Sequence, residues 1–157
     1  MTTLGTIHTA ISLVALVAGL VALIRDRQIT LDNGLGKLYV VTTALTALTG
    51  FGIFQHGGFG KPHVLGVITL VVLAVAWAAG RTALFGGWSK MVEVVSYSAT
   101  FLFHWIPAIT ETSTRLPLGA PLLPSAEAPE LVKATGVLVV LFLIGVTLQV
   151  LRLRKQR

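Results

Sequence analysis

The chain has 157 residues, 54% of them hydrophobic and 11% charged, with a mean hydropathy of +0.85. Soluble domains carry about a quarter charged residues, so this composition excludes an ordinary soluble domain and points to a membrane protein. The net charge of +6 and pI near 10.4 do not point to nucleic acid, because the basic residues fall between apolar runs instead of forming a patch on a polar surface.

Five apolar runs approach the ~20 helical residues that a hydrocarbon core requires: Leu4 to Ile24, Leu38 to Gln55, His63 to Gly80, Met91 to Ile109 and Leu131 to Leu151. Each is near-continuous and lacks the ~10-residue alternation of barrel strands, so the expected fold is all-α: one polytopic helical bundle of five transmembrane helices, residues 1–157. The start, MTTLGTIHTA, has no basic n-region and no small-residue cleavage site, so the first run is expected to be a retained helix.

RDRQITLDNGLGK, between the first two runs, carries an Asp-Asn-Gly turn signal and reads as a short polar loop. FQHGGFGKPHVLG makes a tight turn between the second and third runs, with His56 and His63 on either side of it. RTALFGGWSK is another short link, with Trp88 as an interfacial anchor. The longest link, Thr110 to Glu130, contains Pro117, Pro121, Pro124 and Pro129 and is expected to form an outer loop capping that end of the bundle. A plain connection is the alternative to a lid there. No internal repeat is visible, which leaves an inverted-repeat transporter unsupported.

Nine basic residues (Arg25, Arg27, Lys37, Arg81, Lys90, Arg152, Arg154, Lys155 and Arg157) lie on one side of this topology. Three (Lys61, Arg115 and Lys133) lie on the other. The positive-inside rule then puts the N-terminus outside and the C-terminus in the cytoplasm.

With that topology, His8, His56, His63 and His104 all fall near the outer ends of four different helices. Imidazole is a frequent ligand for zinc, copper and haem iron, and zero cysteines leave nitrogen and oxygen as the available donors. The four histidines are therefore candidate ligands of haem b or a transition metal ion (copper, zinc or iron), with Glu111 as a further metal ligand or partner. Ser12 and Gln55 are candidates to orient the rings by hydrogen bonds. The structural alternative is that each histidine is an interfacial side chain. Gly50, Gly52 and Gly66 fit close approach of either a helix or a flat macrocycle.

In KMVEVVSYSATFLFHWIPAITET, Glu93, Tyr97, Thr100, His104 and Glu111 recur on one helical face. Two readings fit: a polar packing seam on a helix kinked by Pro107 near Phe103, or a ligand helix with Glu93, Tyr97 and Thr100 as a polar, proton-conducting path. Signatures of zincins, serine hydrolases, Walker A loops and Rossmann loops are missing from the sequence.

LGKLYV, the pair His56 and His63, and FHWIPAITETSTRLP resemble small multi-pass bacterial predicted membrane proteins of unknown function. The resemblance implies a bacterial inner-membrane location and brings no activity. The leading expectation is thus a bundle that binds a cofactor near its outer face for electron transfer or redox chemistry, with quinol or another membrane protein as partner besides the bilayer, and a homo-oligomer open. The rivals are a non-catalytic accessory subunit or assembly factor, and a small metal-ion or proton transporter using the polar face of the fourth helix.

Overall fold

A computed structural model describes residues 2–54 and 58–156. Among them are five α-helices and no strand: α1 (Thr3–Arg25), α2 (Gly34–Gly50), α3 (Lys61–Thr82), α4 (Ser89–Arg115) and α5 (Pro129–Lys155), with one 3₁₀ turn, Gly86–Trp88, leading into α4. Four of them, α1, α3, α4 with its preceding turn, and α5, are long and apolar enough to cross a membrane.

The helix ends follow local chemistry. Thr2 Oγ1 accepts the Gly5 N–H at 3.1 Å and opens α1. Asn33 Oδ1 accepts the Gly36 N–H at 2.8 Å and opens α2. That cap makes α2 begin at Gly34, ahead of the expected Leu38. Gly36 is obligatory there, because a Cβ would lie 1.8 Å from the Thr30 carbonyl oxygen. At its other end α2 stops at Gly50, short of the expected Gln55, as Gly52 and Ile53 donate to Thr49 and Gly50 in a tightened turn.

α4 also departs from expectation. It runs six residues past Ile109, so Thr110 to Arg115 are helical and the connecting segment shrinks to residues 116–128. That segment folds back on the end of α4, with Leu123 N–H donating to the Ser113 carbonyl at 2.9 Å. α5 takes Pro129 and Glu130 in its first turn and Arg152, Arg154 and Lys155 in its last, matching the helix dipole.

α1 packs on α2, α3 packs on α4, and α2 bridges to α3, while α5 is joined to the rest through α4. Close approach of α1 comes from small residues on one face: Ala15, Ala18, Gly19 and Ala22 are buried. Gly19 receives the rings of Tyr39 and Phe101, which a Cβ would meet at 2.7–2.9 Å. The core joins Ala18, Ala22, Ile29, Tyr39, Leu73, Ala76 and Tyr97.

The distribution of polarity is inverted relative to a soluble protein. Thr43, Thr69, Glu93, Ser98, Thr100 and His104 are buried, whereas Leu and Val side chains of every helix but α4 lie exposed. Soluble monomers expose apolar patches of at most a few hundred Å², so this surface calls for an apolar solvent.

Candidate functional site: a polar file along α4

α4 places Glu93, Tyr97, Thr100 and His104 on one face, as their spacing predicts, and all four are buried. The chain's own helices cover that face. His104 Nε2 lies 3.1 Å from Thr43 Oγ1 of α2, and its ring meets Tyr39 edge-on at 6.2 Å between centroids. The Tyr39 hydroxyl lies 2.8 Å from Thr100 Oγ1, and the Thr43 hydroxyl also faces it.

The directions of these bonds follow from the donors available. Thr100 spends its hydroxyl proton on the Tyr97 carbonyl at 2.8 Å, so its oxygen accepts from the Tyr39 O–H. Tyr39 then has lone pairs to offer Thr43, and the bond between Thr43 Oγ1 and His104 Nε2 runs in either direction according to the ring's tautomer. The result is a run of groups that can donate or accept, from His104 through Thr43 and Tyr39 to Thr100. Tyr39 and Thr43, both on α2 and both fully buried, were not among the expected site residues.

At the far end of this run, Glu93 is buried against Gly80 of α3 and takes a 2.8 Å ion pair from Lys90. Lys90 also lies 4.0 Å from Asp32, which Arg81 approaches at 3.7 Å. Asp32 belongs to the loop between α1 and α2. The Thr30 hydroxyl, donating at 2.7 Å, holds its carboxyl below the ordinary aspartate range, and Lys90, Arg81 and Lys37 reinforce this against partial desolvation. Between Glu93 and Thr100, the Tyr97 hydroxyl is fully buried and has no hydrogen-bond partner among the described residues.

The histidine layer is less unified. His8 Nδ1 lies 3.0 Å from Thr49 Oγ1. Since Thr49 gives its proton to the Leu45 carbonyl at 2.8 Å, His8 Nδ1–H is the donor. His8 on α1 lies within electrostatic reach of His104 and Glu111 on α4. His63 is set differently: it opens α3, its Nδ1 accepts the Gly60 N–H at 3.2 Å, and its ring stacks between Phe54 and Phe59 at 5.0 Å from each. Its Nε2 is buried and has no hydrogen-bond partner among the described residues. His56 and Gln55 lie outside the described residues.

Glu111 forms an i,i+4 ion pair with Arg115, and Ser12 donates to the Thr9 carbonyl at 2.8 Å instead of orienting His8. The glycines serve side chains: Gly50 faces the His8 ring, Gly52 faces Leu4 and Gly66 faces the Phe51 ring. Among the described residues no group of three or more His, Asp or Glu is arranged to hold a metal ion.

Taken along α4, the polar groups run from Glu93 to Glu111, a rise of ~27 Å at ~1.5 Å per residue, close to the ~30 Å of a hydrocarbon core. No protein-family model, curated protein or solved structure matches the chain.

Proposed function

We propose that the chain is a bacterial inner-membrane protein of five spans, N-terminus outside and C-terminus cytoplasmic, that moves protons along the file on α4. The supporting observation is the interior run His104, Thr43, Tyr39, Thr100, with the ionisable Glu93 beyond one end and His8 and Glu111 beyond the other. Protons pass along chains of groups that both donate and accept, and hydroxyl and imidazole are such groups. Buried ionisable residues within apolar helices are costly and mark conduction paths. In this reading α2, whose 17 residues rise only ~25 Å, completes its crossing with the turn through Phe54, and the basic end faces the cytoplasm.

The test is reconstitution into lipid vesicles carrying a pH-sensitive dye, with an imposed potassium diffusion potential. The parent is expected to acidify or alkalinise the lumen faster than protein-free vesicles, according to the sign of the potential. Thr43→Val keeps the shape of the side chain, removes the link between His104 and Tyr39, and is expected to slow the flux about tenfold, the weight of one hydrogen bond. Parent flux equal to that of protein-free vesicles at either sign of the potential would sink the proposal.

A second reading draws on His8 lying within electrostatic reach of His104: these two rings as ligands of haem b or a transition metal ion, serving electron transfer with a quinol. It requires both rings to turn from their threonines. A Soret band or stoichiometric metal in purified parent, lost in His8→Ala and in His104→Ala, would establish it in place of proton movement.

A further inference from the structure

The file has a break at Tyr97. Every other hydroxyl on it has a partner, while the Tyr97 hydroxyl, fully buried one turn beyond Glu93 on the same face, has none among the described residues. It lies within electrostatic reach of Glu93. The Glu93 carboxylate meanwhile has its Oε2 on Lys90 at 2.8 Å and its Oε1 against Gly80. A Cβ on Gly80 would sit 2.7 Å from both Cδ and Oε1 of Glu93. The carboxyl group therefore occupies the space that any other residue at position 80 would fill.

We propose that Glu93, Tyr97 and Gly80 form a proton-loading site at the basic foot of the file, in which the Glu93 carboxyl alternates between two partners. The inference rests on the proton-path reading and deepens it. As a carboxylate, Glu93 pairs with Lys90, and the Tyr97 hydroxyl is left over, the arrangement observed. When Glu93 takes a proton from the basic face, its new O–H needs an acceptor, and the Tyr97 hydroxyl oxygen is the buried group that offers one. Lys90 keeps its charge and passes to Asp32, already 4.0 Å away and flanked by Arg81. The site gains one proton, Tyr97 keeps its own, and no other bond is made or broken. Gly80 acts as a positioning residue: it touches no proton, but sets where the carboxyl group lies.

The experiment combines vesicle flux with labelling by dicyclohexylcarbodiimide, which modifies protonated carboxyl groups in apolar surroundings, read at Glu93 by mass spectrometry of the full-length protein. Tyr97→Phe removes only the hydroxyl; flux and Glu93 labelling are both expected to fall about tenfold, the weight of one hydrogen bond. Gly80→Ala is expected to lower both as well. Adding Glu93→Asp to Gly80→Ala withdraws the carboxyl by one methylene and is expected to restore labelling, which a general packing defect at position 80 would not allow. If the parent carries no flux but Glu93 labelling still falls in Tyr97→Phe, the loading site stands and the transport reading falls. If labelling in Tyr97→Phe equals that of the parent, the site is overturned whatever the flux.

Discussion

α4 and α5 are both 27 residues long and both hydrophobic, yet they stand in opposite relations to the chain. α4 buries eight residues, among them Glu93, Tyr97, Ser98, Thr100 and His104. α5 buries only Leu131. The difference lies in patterning: α4 gathers its polar side chains on one face, and lipid would charge heavily for each of them, so that face must turn inward. α5 offers no such face and, among the helices, packs chiefly on α4. Within an apolar solvent, burying Leu or Val gains little, and the helix with polar groups to hide becomes the centre of the bundle.

The largest test of this contrast compares truncations on the two sides. Tyr39, fully buried against α4 and wedged beside Gly19 and Phe101, leaves a cavity and an unpaired Thr100 when replaced. Tyr39→Ala is expected to cost about 3 kcal/mol or more. Leu143→Ala on α5, where the side chain is 55% exposed, is expected to stay within about 0.5 kcal/mol. Denaturant titration in detergent micelles measures both, and equal losses would show that the interior of α1–α4 is no more specifically packed than the α5 surface.

A smaller effect sharpens the comparison from the α5 side. Gln149 is a polar residue within an otherwise apolar stretch of that helix, and it makes two contacts: its Oε1 accepts from Ser98 of α4 at 2.9 Å, and its Nε2 donates to the Arg27 carbonyl at 3.0 Å. Arg152 adds a weaker bond to the Asp26 carbonyl at 3.4 Å. α5 is thus positioned by hydrogen bonds at its basic end more than by interlocking side chains. Gln149→Leu is expected to cost about 1 kcal/mol and to raise amide exchange selectively along α5, seen by hydrogen-exchange mass spectrometry. Uniform exchange increases across all helices would contradict a local tether.

The α4 face was legible in the sequence because its spacing is a property of one helix: Glu93, Tyr97, Thr100 and His104 had to share a side. Their partners were not legible. Tyr39 and Thr43 lie 61 residues from Thr100 and His104, and a threonine in an apolar helix carries no mark separating a relay hydroxyl from one that bonds its own i−4 carbonyl, as Thr42, Thr46 and Thr69 do. Gly80 was invisible for the same reason, since its role is space and shows only when Glu93 fills it. Helix existence was read correctly, while the bounds of α2 missed the Asn33 cap and the stop at Gly50. The end of α4 lies at Arg115, six residues beyond the expected Ile109.

The smallest effect concerns the foot of α4, where Lys90 joins the buried Glu93 to the exposed Asp32. The Thr30 hydroxyl first, then the charges of Lys90, Arg81 and Lys37, keep the Asp32 carboxyl ionised to lower pH in the folded chain than in the unfolded one. Asp26 behaves likewise through Arg25. A depressed folded value means that the stabilisation is fully present above the unfolded value, about pH 4, and is lost as pH falls through the folded value. Because Asp32 is exposed, the contribution is expected to be at most about 1 kcal/mol, as for other solvent-facing pairs. Unfolding midpoints measured from pH 7 down to pH 3 should therefore fall more steeply for the parent than for Asp32→Asn, with Leu143→Ala on α5 following the parent. Superimposable curves for parent and Asp32→Asn would remove Asp32 from the network, leaving Lys90 held by Glu93 alone and the alternation between two carboxylates without its second partner.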